Sequence, residues 1–371
     1  MSDFALFTAP NTTDGRSEEF TGAALRYQHS IRRQGGFWAA SWDMKPSVVT
    51  SHRLLEAWYE NKLGHVIYER SAGLVTWRGL IWSMDLAIDG WKERRDLGEV
   101  WNAVKVVYTT EEDTAETAWF TNDTSIARYG RREYIIPLDG VTLATAEAEA
   151  QKTLIEAGEA FSRPVGVGKD IEDGLHIEAV GFVFTANNKY VTAGDGSEDD
   201  LSTYFSEIVA TDCEFLTAGS IAPNTTQVRK SFKTPMRVWD ALMHLTMVGS
   251  TAAPFLTEVD ANDFIHFRQA SNEPAYLWQG KEKALTTRGG AAVRWSARPG
   301  VIRNMKHRPS TAIPGTFLQQ DRDAWISEVV MAVGQDTIDV QTDGYDDEAI
   351  AREFERAKKW LEEEREAEGG N

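Results

Sequence analysis

Cysteine is almost absent from this sequence: Cys213 is the only one among 371 residues. A single thiol cannot form an intramolecular disulfide, and it cannot build a zinc site from several thiolates. The sequence therefore predicts neither a disulfide framework nor thiol redox chemistry, and it fits a chain that folds in a reducing compartment.

Long apolar runs are also missing. No window approaches the roughly 18 consecutive apolar residues that a membrane helix requires. Residues 1–13 contain no basic segment followed by an apolar one, which is the pattern of a secretory signal peptide. We therefore expect neither membrane insertion nor export by a signal peptide.

Basic charge is in short supply as well, with 39 Lys and Arg against 57 Asp and Glu and a net charge of −18. A body of this sign repels polyphosphates, so tight binding of duplex DNA through charge is excluded. A hydrophobic fraction of 42% and 13 tryptophans nevertheless exclude a mostly disordered chain.

Catalytic and ligand-binding motifs are lacking. None of the seven histidines stands four residues from another, and no phosphate-binding GxxxxGK[ST] loop or nucleophile elbow occurs. The acidic segment at 194–200 resembles a calcium loop, but Asp200 stands where the loop needs glycine and Ser206 where it needs glutamate. The sequence predicts no cofactor, no metal site and no enzymatic activity.

Alternating apolar residues predict β-structure in the first part of the chain. Residues 64–89 are typical of a hairpin whose long second arm contains Gly79, a position that suggests a bulge or bend. Residues 104–121 predict a second hairpin around an acidic turn at 111–113. Together they indicate a curved, mainly antiparallel sheet.

Helices are predicted at 52–59, from Leu143 after a cap near Thr142 to a stop before Pro164, and at 234–249 with Pro235 in the first turn. On the last of these, Met236, Trp239, Leu242, Met243 and Met247 share one face. A charged helix is expected at 346–368. Beyond residue 174 we predict further short strands at 175–185, 189–192, 264–267, 276–278, 293–295 and 325–333, the first two joined by a hairpin turn at Asn187 and Asn188.

These patterns predict a mainly β fold with α-helices, of the α+β class. The glycine-containing, charged stretch that follows Pro164 indicates a boundary. We therefore expect a first domain at 1–163, a second region at 164–340, and an acidic C-terminal helix and tail at 341–371.

The most informative segment is DTSIARYGRRE, residues 123–133. It places three guanidinium groups, on Arg128, Arg131 and Arg132, beside the carboxylate of Glu133 in an acidic protein. Gly130 permits a turn there, and Tyr129 offers a flat apolar face with a hydroxyl at its tip. Such groups can pair with acidic groups across an interface, or they can neutralise carboxylates of their own domain.

This segment resembles the SIAxYGxRE signature of phage tail baseplate hub proteins. Upstream, Gly73, Trp77, Gly79 and Ile81 are similar to the family's first hairpin pattern. Downstream, the alanine-rich stretch LATAEAEAQKTL and the stretch KTPMRVWDALMHLTMVG resemble the two helices of that family. The resemblance covers roughly residues 60–330, and the SIARYGRRE segment is its most specific part.

The resemblance implies a structural protein of the phage virion with two tube-like antiparallel β-barrel domains in each chain. It implies a homotrimer that closes the tail tube, adapts six-fold symmetry to a three-fold tip and forms part of the DNA ejection channel. Arg128, Tyr129, Gly130, Arg131, Arg132 and Glu133 are then candidate subunit-contact residues. The expected partners are distal tail or tube, tape-measure, tip or fibre proteins, with DNA only in transit and assembly in the host cytoplasm.

Two other functions stay open. A distal tail ring or a fibre adaptor would use the same kind of domain in a six-fold ring. A tail-tip hydrolase that cleaves the cell wall would need paired carboxylates or a metal, and no such pair can be identified in the sequence.

Overall fold

The computed structural model describes most of the first 270 residues and separate strands beyond them. The described ranges are 5–10, 17–32, 34–47, 50–71, 74–110, 113–232, 234–250, 255–260, 262–270, 274–279, 284–287, 301–304, 323–332 and 338–344.

The described part of the chain is built mainly from strands. In chain order they are β1 (Ala5–Ala9), β2 (Glu18–Glu19), β3 (Leu25–Arg32), β4 (Gly36–Met44), β5 (Val66–Ser71), β6 (Leu74–Ile88), β7 (Trp91–Asp96), β8 (Ala103–Thr109), β9 (Thr114–Glu116), β10 (Phe120–Thr121), β11 (Glu133–Leu138), β12 (Arg163–Val167), β13 (Gly174–Gly181), β14 (Glu198–Asp200), β15 (Thr217–Ile221), β16 (Gln227–Arg229), β17 (Phe255–Val259), β18 (Phe264–Gln269), β19 (Pro274–Gln279), β20 (Ala284–Thr287), β21 (Val301–Asn304), β22 (Asp323–Ala332) and β23 (Ile338–Gly344).

Helices cover or connect these strands. They are α1 (His52–Asn61), α2 (Asp123–Tyr129), α3 (Leu143–Ala157), α4 (Leu201–Asp212) and α5 (Val238–Gly249), with short 3-10 helices at Leu97–Glu99 and Phe182–Asn188. The predicted helices at 52–59 and after Thr142 are confirmed, although the second ends at Ala157, some residues before Pro164. The predicted cap is confirmed as well, because the Thr142 side chain accepts a hydrogen bond from the Thr145 amide.

The largest sheet is organised around β6, whose 15 residues pair with three other strands. Its first half pairs with β5, which confirms the predicted hairpin, and its second half pairs with β7. On the opposite edge β6 pairs along its length with β13, which in turn pairs with β4. The sheet then continues through β3 to β22 and β21.

The mainly β, α+β class is confirmed, but the sheets are open. Among the described residues, the main path of the large sheet ends at β2 on one side and at β20 on the other, and these strands do not pair with each other. A barrel requires the last strand to hydrogen-bond to the first. Instead β22, far away in sequence, pairs with β3 and extends the sheet. The expectation of two closed, tube-like barrels is therefore wrong for the described part of the chain.

The second predicted hairpin forms a separate sheet and does not extend the first one. β8 pairs antiparallel with β9 and β10 and parallel with β11, and α3 packs on this sheet. Val104, Val106, Ala146 and Ala150 form its buried core. The parallel pairing of β8 and β11 needs a long crossover connection, which here runs through β9, β10 and α2.

Two larger buried clusters lie on either side of β6. The first fills the space between α1 and the large sheet and contains Trp42, Trp58 and Trp77. The second contains α4, α5, the 3-10 helix Phe182–Asn188 and the small sheet of β15, β17 and β18. Both clusters draw on strands β4 and β6 or their flanks, so one sheet separates the two cores.

Gly79 permits a close strand approach and is not itself a bulge. It pairs regularly with Gly181 on β13, and a Cβ at Gly79 would lie 2.1 Å from the Val180 carbonyl oxygen. The register shifts occur on either side of it, opposite Glu69/Arg70 and Glu178/Ala179. The irregularities that the sequence predicts therefore lie a few residues from Gly79. The glycine itself allows the backbones of β6 and β13 to approach closely.

The hairpin predicted at Asn187 and Asn188 is wrong. Residues 182–188 form a 3-10 helix in which Phe182, Val183 and Ala186 are buried in the second cluster. Apolar residues at this spacing also fit a strand, and burial against α5 selects the helical turn.

The helix predicted at 234–249 exists but begins later, at Val238, after the Arg237 cap. Its buried face is formed by Val238, Ala241, Leu242 and Leu245, and Met247 is 46% exposed. The predicted face is therefore right in part: Leu242 is buried, and Met236 and Trp239 pack partly buried against the second cluster, whereas Met247 points to solvent. The strand at 293–295 and the helix at 346–368 lie outside the described residues.

The division of the chain at residues 163 and 340 stays a prediction. Strand β13 follows the first of these positions, yet it lies between β4 and β6 in the large sheet. Strand β12, at the position itself, pairs with β7.

An ion pair joins the large sheet to the small one. The Arg78 guanidinium on β6 lies 2.9 Å from the Asp263 carboxylate in the turn before β18. Burial outweighs the attraction of Arg78 and raises the pKa of Asp263 to about 6.

Replacing Asp263 with asparagine should therefore change the pH dependence of stability. A folded pKa above the unfolded value, 3.8, means that the native wild type loses stability as pH rises from about 4 to 6. Asparagine cannot ionise, so the free energy of unfolding of D263N minus that of the wild type should rise by about 1–3 kcal/mol between pH 4 and pH 7. Urea denaturation at several pH values measures this difference, and a constant difference would contradict the assignment.

Candidate interaction site

The SIARYGRRE segment begins with a short helix that the sequence reasoning missed. Asn122 caps α2 by accepting the Ser125 amide at 3.1 Å, and Asp123 lies in the first turn. This Asn-Asp pair was the available signal in the sequence. The helix ends at Tyr129, and the chain then turns at Gly130 with φ +77° into β11.

The turn at Gly130 needs glycine for two reasons. Its φ lies in the region that L side chains rarely adopt, as the sequence analysis expected. In addition, a Cβ there would lie 2.7 Å from ring atoms of Phe215, which belongs to the second cluster. The predicted turn is therefore confirmed, and it also sets the distance between α2 and the second cluster.

The side chain of Asn102 fixes this turn through hydrogen bonds, and no sequence pattern pointed to this residue. Its Oδ1 accepts the Arg132 amide at 2.7 Å, and its Nδ2 donates to the Gly130 carbonyl at 2.8 Å and to Ser125 Oγ at 3.2 Å. The side chain is fully buried. A buried amide with both ends satisfied fixes one backbone geometry, because any other leaves its polar atoms without partners.

Arg132 is buried inside the chain, with 2% of its surface exposed. Its guanidinium carbon lies 4.6 Å from the centre of the Trp82 ring and 5.9 Å from that of Trp101. Its Nε–H donates to the Val100 carbonyl at 3.0 Å. Burial lowers the pKa of Arg132 to about 9, so the group stays charged at pH 7 and is stabilised by the indole faces.

Glu133 connects β11 to two residues that flank members of the second cluster. One carboxylate oxygen accepts the Arg131 Nε–H at 2.7 Å, and the other accepts the Tyr190 amide at 2.9 Å. Its carbonyl accepts from Arg237 Nη1 at 2.7 Å. The Arg237 guanidinium also lies 4.0 Å from the centre of the Tyr190 ring, and its burial lowers its pKa.

The remaining members of the segment reach in other directions. Tyr129 is buried in the first cluster, and burial raises the pKa of its hydroxyl. The Arg131 amide donates to Glu214 Oε2 at 3.0 Å. Arg128 is exposed, and its Nη2 donates to the Glu60 carbonyl at 2.9 Å.

The six candidate residues therefore lie together, at the place where all three buried clusters meet. Arg131 pairs with a carboxylate of its own segment, while Arg128 and Arg132 donate to backbone carbonyls of the same chain. Their role in subunit contact stays a prediction. Of the three arginines, Arg128 is the most accessible to a second molecule, and Arg131 follows with 28% of its side chain exposed.

No group of three or more histidine, cysteine, aspartate or glutamate side chains is arranged to hold a metal ion in the described ranges. In the acidic segment at 194–200, the Lys230 ammonium lies 3.6 Å from Asp195 and 4.0 Å from Asp199. Among the helices that the structure describes, none is long and apolar enough to cross a membrane.

No protein-family model and no curated protein matches the sequence. Among solved structures, the chain is similar to the 43 kDa tail protein of prophage MuSo2 from Shewanella oneidensis, with 8% identity, a TM-score of 0.42, and 93% of this chain and 97% of that one covered. It is also similar to a tail protein from Neisseria meningitidis MC58, with 6% identity, a TM-score of 0.44, and 93% and 96% covered.

A third similar structure is an E. coli component of the type VI secretion system, described as structurally similar to the T4 bacteriophage tail proteins gp27 and gp5. The identity is 8%, the TM-score is 0.39, and 87% of this chain and 74% of that one are covered. Two of these structures are thus named as tail proteins, and the third is described as structurally similar to phage tail proteins.

Proposed function

We propose that this chain is a structural protein of a phage tail, and that it acts as the hub at the tail tip. In this proposal three copies form a ring that closes the tail tube and adapts its six-fold symmetry to a three-fold tip. The chain works by holding its neighbours in place and not by catalysis. Its partners are itself and other tail proteins, and its location is the virion.

The observation that carries this proposal is the position of the SIARYGRRE segment. The residues that resemble the hub signature are also those that tie the three buried clusters together through Asn102, Arg132 and Glu133. A closed ring repeats the same contact at every subunit, so each subunit must present its surfaces at a constant angle. A rigid junction between the parts of the chain supports this role.

The charge of the chain supports the proposed passage of DNA. Duplex DNA carries one negative charge per roughly 1.7 Å and adheres to a basic wall. A chain with a net charge of −18 can line a channel with neutral or acidic groups, along which DNA moves without being held. A map of the ring with a lumen dominated by lysine and arginine would contradict this part of the proposal.

The oligomeric state provides the first test. We expect the isolated full chain to sediment as a trimer at micromolar concentration, because the hub requires three-fold closure. Analytical ultracentrifugation or native mass spectrometry measures the mass. A hexamer would favour a distal tail ring, and a monomer would contradict the hub.

Within the same experiment, Arg128→Ala tests the candidate contact, since this side chain is exposed and bonds to a single backbone carbonyl. Loss of a desolvated charge at an interface should lower the free energy of trimer dissociation by about 2 kcal/mol or more. Loss of an exposed charge should change it by less than about 1 kcal/mol. The matched control is Arg26→Ala, whose side chain is 80% exposed. Equal trimer stability in both variants would remove Arg128 from the contact.

A further inference from the structure

A groove lies between α1 and β7, on the face of the large sheet that α1 covers. Its volume is about 530 Å³, and its lining includes Glu56, Glu60, Leu86, Ile88, Trp91 and Glu93. We refer to it as the α1–β7 groove. It borders the SIARYGRRE segment at Glu60, whose carbonyl accepts from Arg128 Nη2 at 2.9 Å, but none of these six side chains takes part in the contacts described for that segment.

The floor of the groove is an apolar row across three strands. Ile88 on β6 pairs with Trp91 on β7, and Trp91 pairs with Val167 on β12. Side chains of directly paired residues lie on the same face of a sheet. Trp91 is 47% exposed and Val167 is 74% exposed, so the row continues from the groove to the edge of the sheet uncovered.

The wall of the groove is acidic. Arg53, Glu56, Ala57 and Glu60 stand at helical spacing on the exposed face of α1. Among the described residues, neither Glu56 nor Glu60 has an ion-pair partner, and the nearby Glu93 accepts a hydrogen bond from the neutral Ser162 hydroxyl at 2.7 Å. Three carboxylates therefore face the groove against one guanidinium.

The guanidinium of Arg95 adds one positive charge on the inner side of the groove. It lies under α1, where it donates to the carbonyls of Tyr59 and Glu60 at 3.0 Å and to that of Ala160 at 3.1 Å. Three of its five N–H donors are thus bound by backbone oxygens, and in the described part of the chain it forms no ion pair with Glu56, Glu60 or Glu93.

The edge of the sheet beside the groove is open. In the described part of the chain β12 pairs with β7 alone. The Gly168 amide donates to the Gly90 carbonyl at 2.9 Å, and hydrogen-bonded pairs alternate along an antiparallel ladder. The amide and carbonyl of Val167, in the pair next to Gly168, therefore point away from β7, where another strand can bond to them.

We propose that an extended segment of a partner protein adds to β12 as a further strand and directs a lysine or arginine side chain into the α1–β7 groove. The added strand would lie about 10 Å from β7, two strand spacings away. Only a long side chain extends over Val167 toward Trp91 and the carboxylates beyond it. A basic head with an apolar stem matches this surface, since the stem covers the apolar row and the head meets Glu56, Glu60 and Glu93.

The test uses the full chain and two fluorescein-labelled heptapeptides of alternating threonine and valine, one with arginine and one with glutamate at the centre. Fluorescence anisotropy at low salt should show at least about tenfold tighter binding of the arginine peptide, because charge pairs at such a surface act strongly when salt is low. In the double variant E56Q/E60Q this preference should fall by about threefold or more, as two of the three carboxylates are neutral.

The variant Val167→Pro removes the N–H that points away from β7 and leaves the hydrogen bonds to β7 intact. It should weaken binding of the arginine peptide by about tenfold or more. The matched variant Val167→Thr keeps the amide and should bind within about twofold of the wild type. Equal binding of the two peptides, or unchanged binding by V167P, would overturn the proposal. A smaller oligomer in V167P would also overturn it, since a second copy of the chain would then occupy the edge.

This inference does not rest on the proposed hub function. The peptide experiment measures the preference of the groove for a basic side chain and the need for the open edge of β12. The hub proposal is tested by the number of subunits in the oligomer. A failure of one therefore leaves the other standing.

Discussion

Replacement of Arg132 with alanine is expected to lower the free energy of unfolding by about 3–5 kcal/mol. The change removes a guanidinium that packs on the rings of Trp82 and Trp101, where each desolvated cation–π contact contributes up to about 2 kcal/mol. It also leaves the Val100 carbonyl without the Nε–H of Arg132, and it opens a cavity in a buried junction. Urea denaturation followed by far-UV circular dichroism measures the loss.

A second variant separates packing from charge. Arg132→Met keeps much of the volume and avoids burying a cation, so it should cost about 1–2 kcal/mol, well below the alanine variant. The exposed Arg26→Ala serves as the control and should change stability by less than about 0.5 kcal/mol. If the free energy of unfolding of R132A lies within about 1 kcal/mol of the wild-type value, the stability of the junction does not depend on Arg132.

Loss of Arg132 has a consequence for the proposed hub. Glu133 and Gly130 are neighbours of this residue. Glu133 binds the amide of Tyr190, which precedes Val191 of the second cluster, and Gly130 lies against Phe215 of that cluster. A looser junction changes the angle between the parts of each subunit. We therefore expect R132A to form less trimer than the wild type even at temperatures where it is folded.

The second large effect is expected from Gly181→Ala, which should destabilise the chain by more than about 4 kcal/mol. A Cβ at this position would lie 1.8 Å from the carbonyl oxygen of Phe37 and 2.6 Å from its carbonyl carbon. The obstacle is backbone, so no side-chain rotation relieves it. Strand β13 would have to move away from β4, and its ladder connects the two halves of the large sheet.

The matched control for this substitution is Gly22→Ala, because a Cβ at Gly22 has no atom within 4 Å. Reduced soluble yield and a lower urea midpoint are expected for G181A, while G22A should stay within about 1 kcal/mol of the wild type. Should G181A not fold at all, the milder Gly174→Ala, with its Cβ 3.0 Å from the Met44 carbonyl oxygen, should fall between the two. Equal stability of all three would contradict the close approach.

Local signals explain which elements the sequence predicts correctly. The helix at 143–157 follows from alanine and glutamate propensity and from the Thr142 cap, all within 15 residues of one another. The hairpin of β5 and β6 follows from alternation on both sides of a short turn. Such elements depend on neighbours in sequence, and the chain contains that information in a short window.

The sequence-based predictions fail where contacts with segments far away in the chain determine the local structure or the buried face. Residues 182–188 are as compatible with a strand as with a 3-10 helix until the second cluster covers them. The buried face of α5 is chosen by the surface it meets, which is formed by strands and helices elsewhere in the chain. Periodicity identifies a helix, but on a helix with apolar residues on several sides it does not identify the buried face.

The candidate site divides in the same way. One short segment contains the turn at Gly130 and the group formed by Arg128, Arg131, Arg132 and Glu133, so both could be predicted from the sequence. Asn102, the two indole rings against Arg132, and Tyr190 come from 23 or more residues away and carry no motif of their own. Sequence reasoning could name the arginines, but it could not find what they contact.

By itself, then, the sequence determined the class of fold, three of the five described α-helices, a minority of the described strands, the absence of a disulfide framework and the place of the informative segment. These follow from composition, periodicity and capping, which act over a few residues. Only the tertiary structure decided that β13 lies between β4 and β6, that β22 extends the sheet beside β3, and that Arg132 is buried between two tryptophans. Those outcomes depend on hydrogen bonding and burial between segments far apart in the chain, where many pairings satisfy the local pattern and only the packing of the whole selects one.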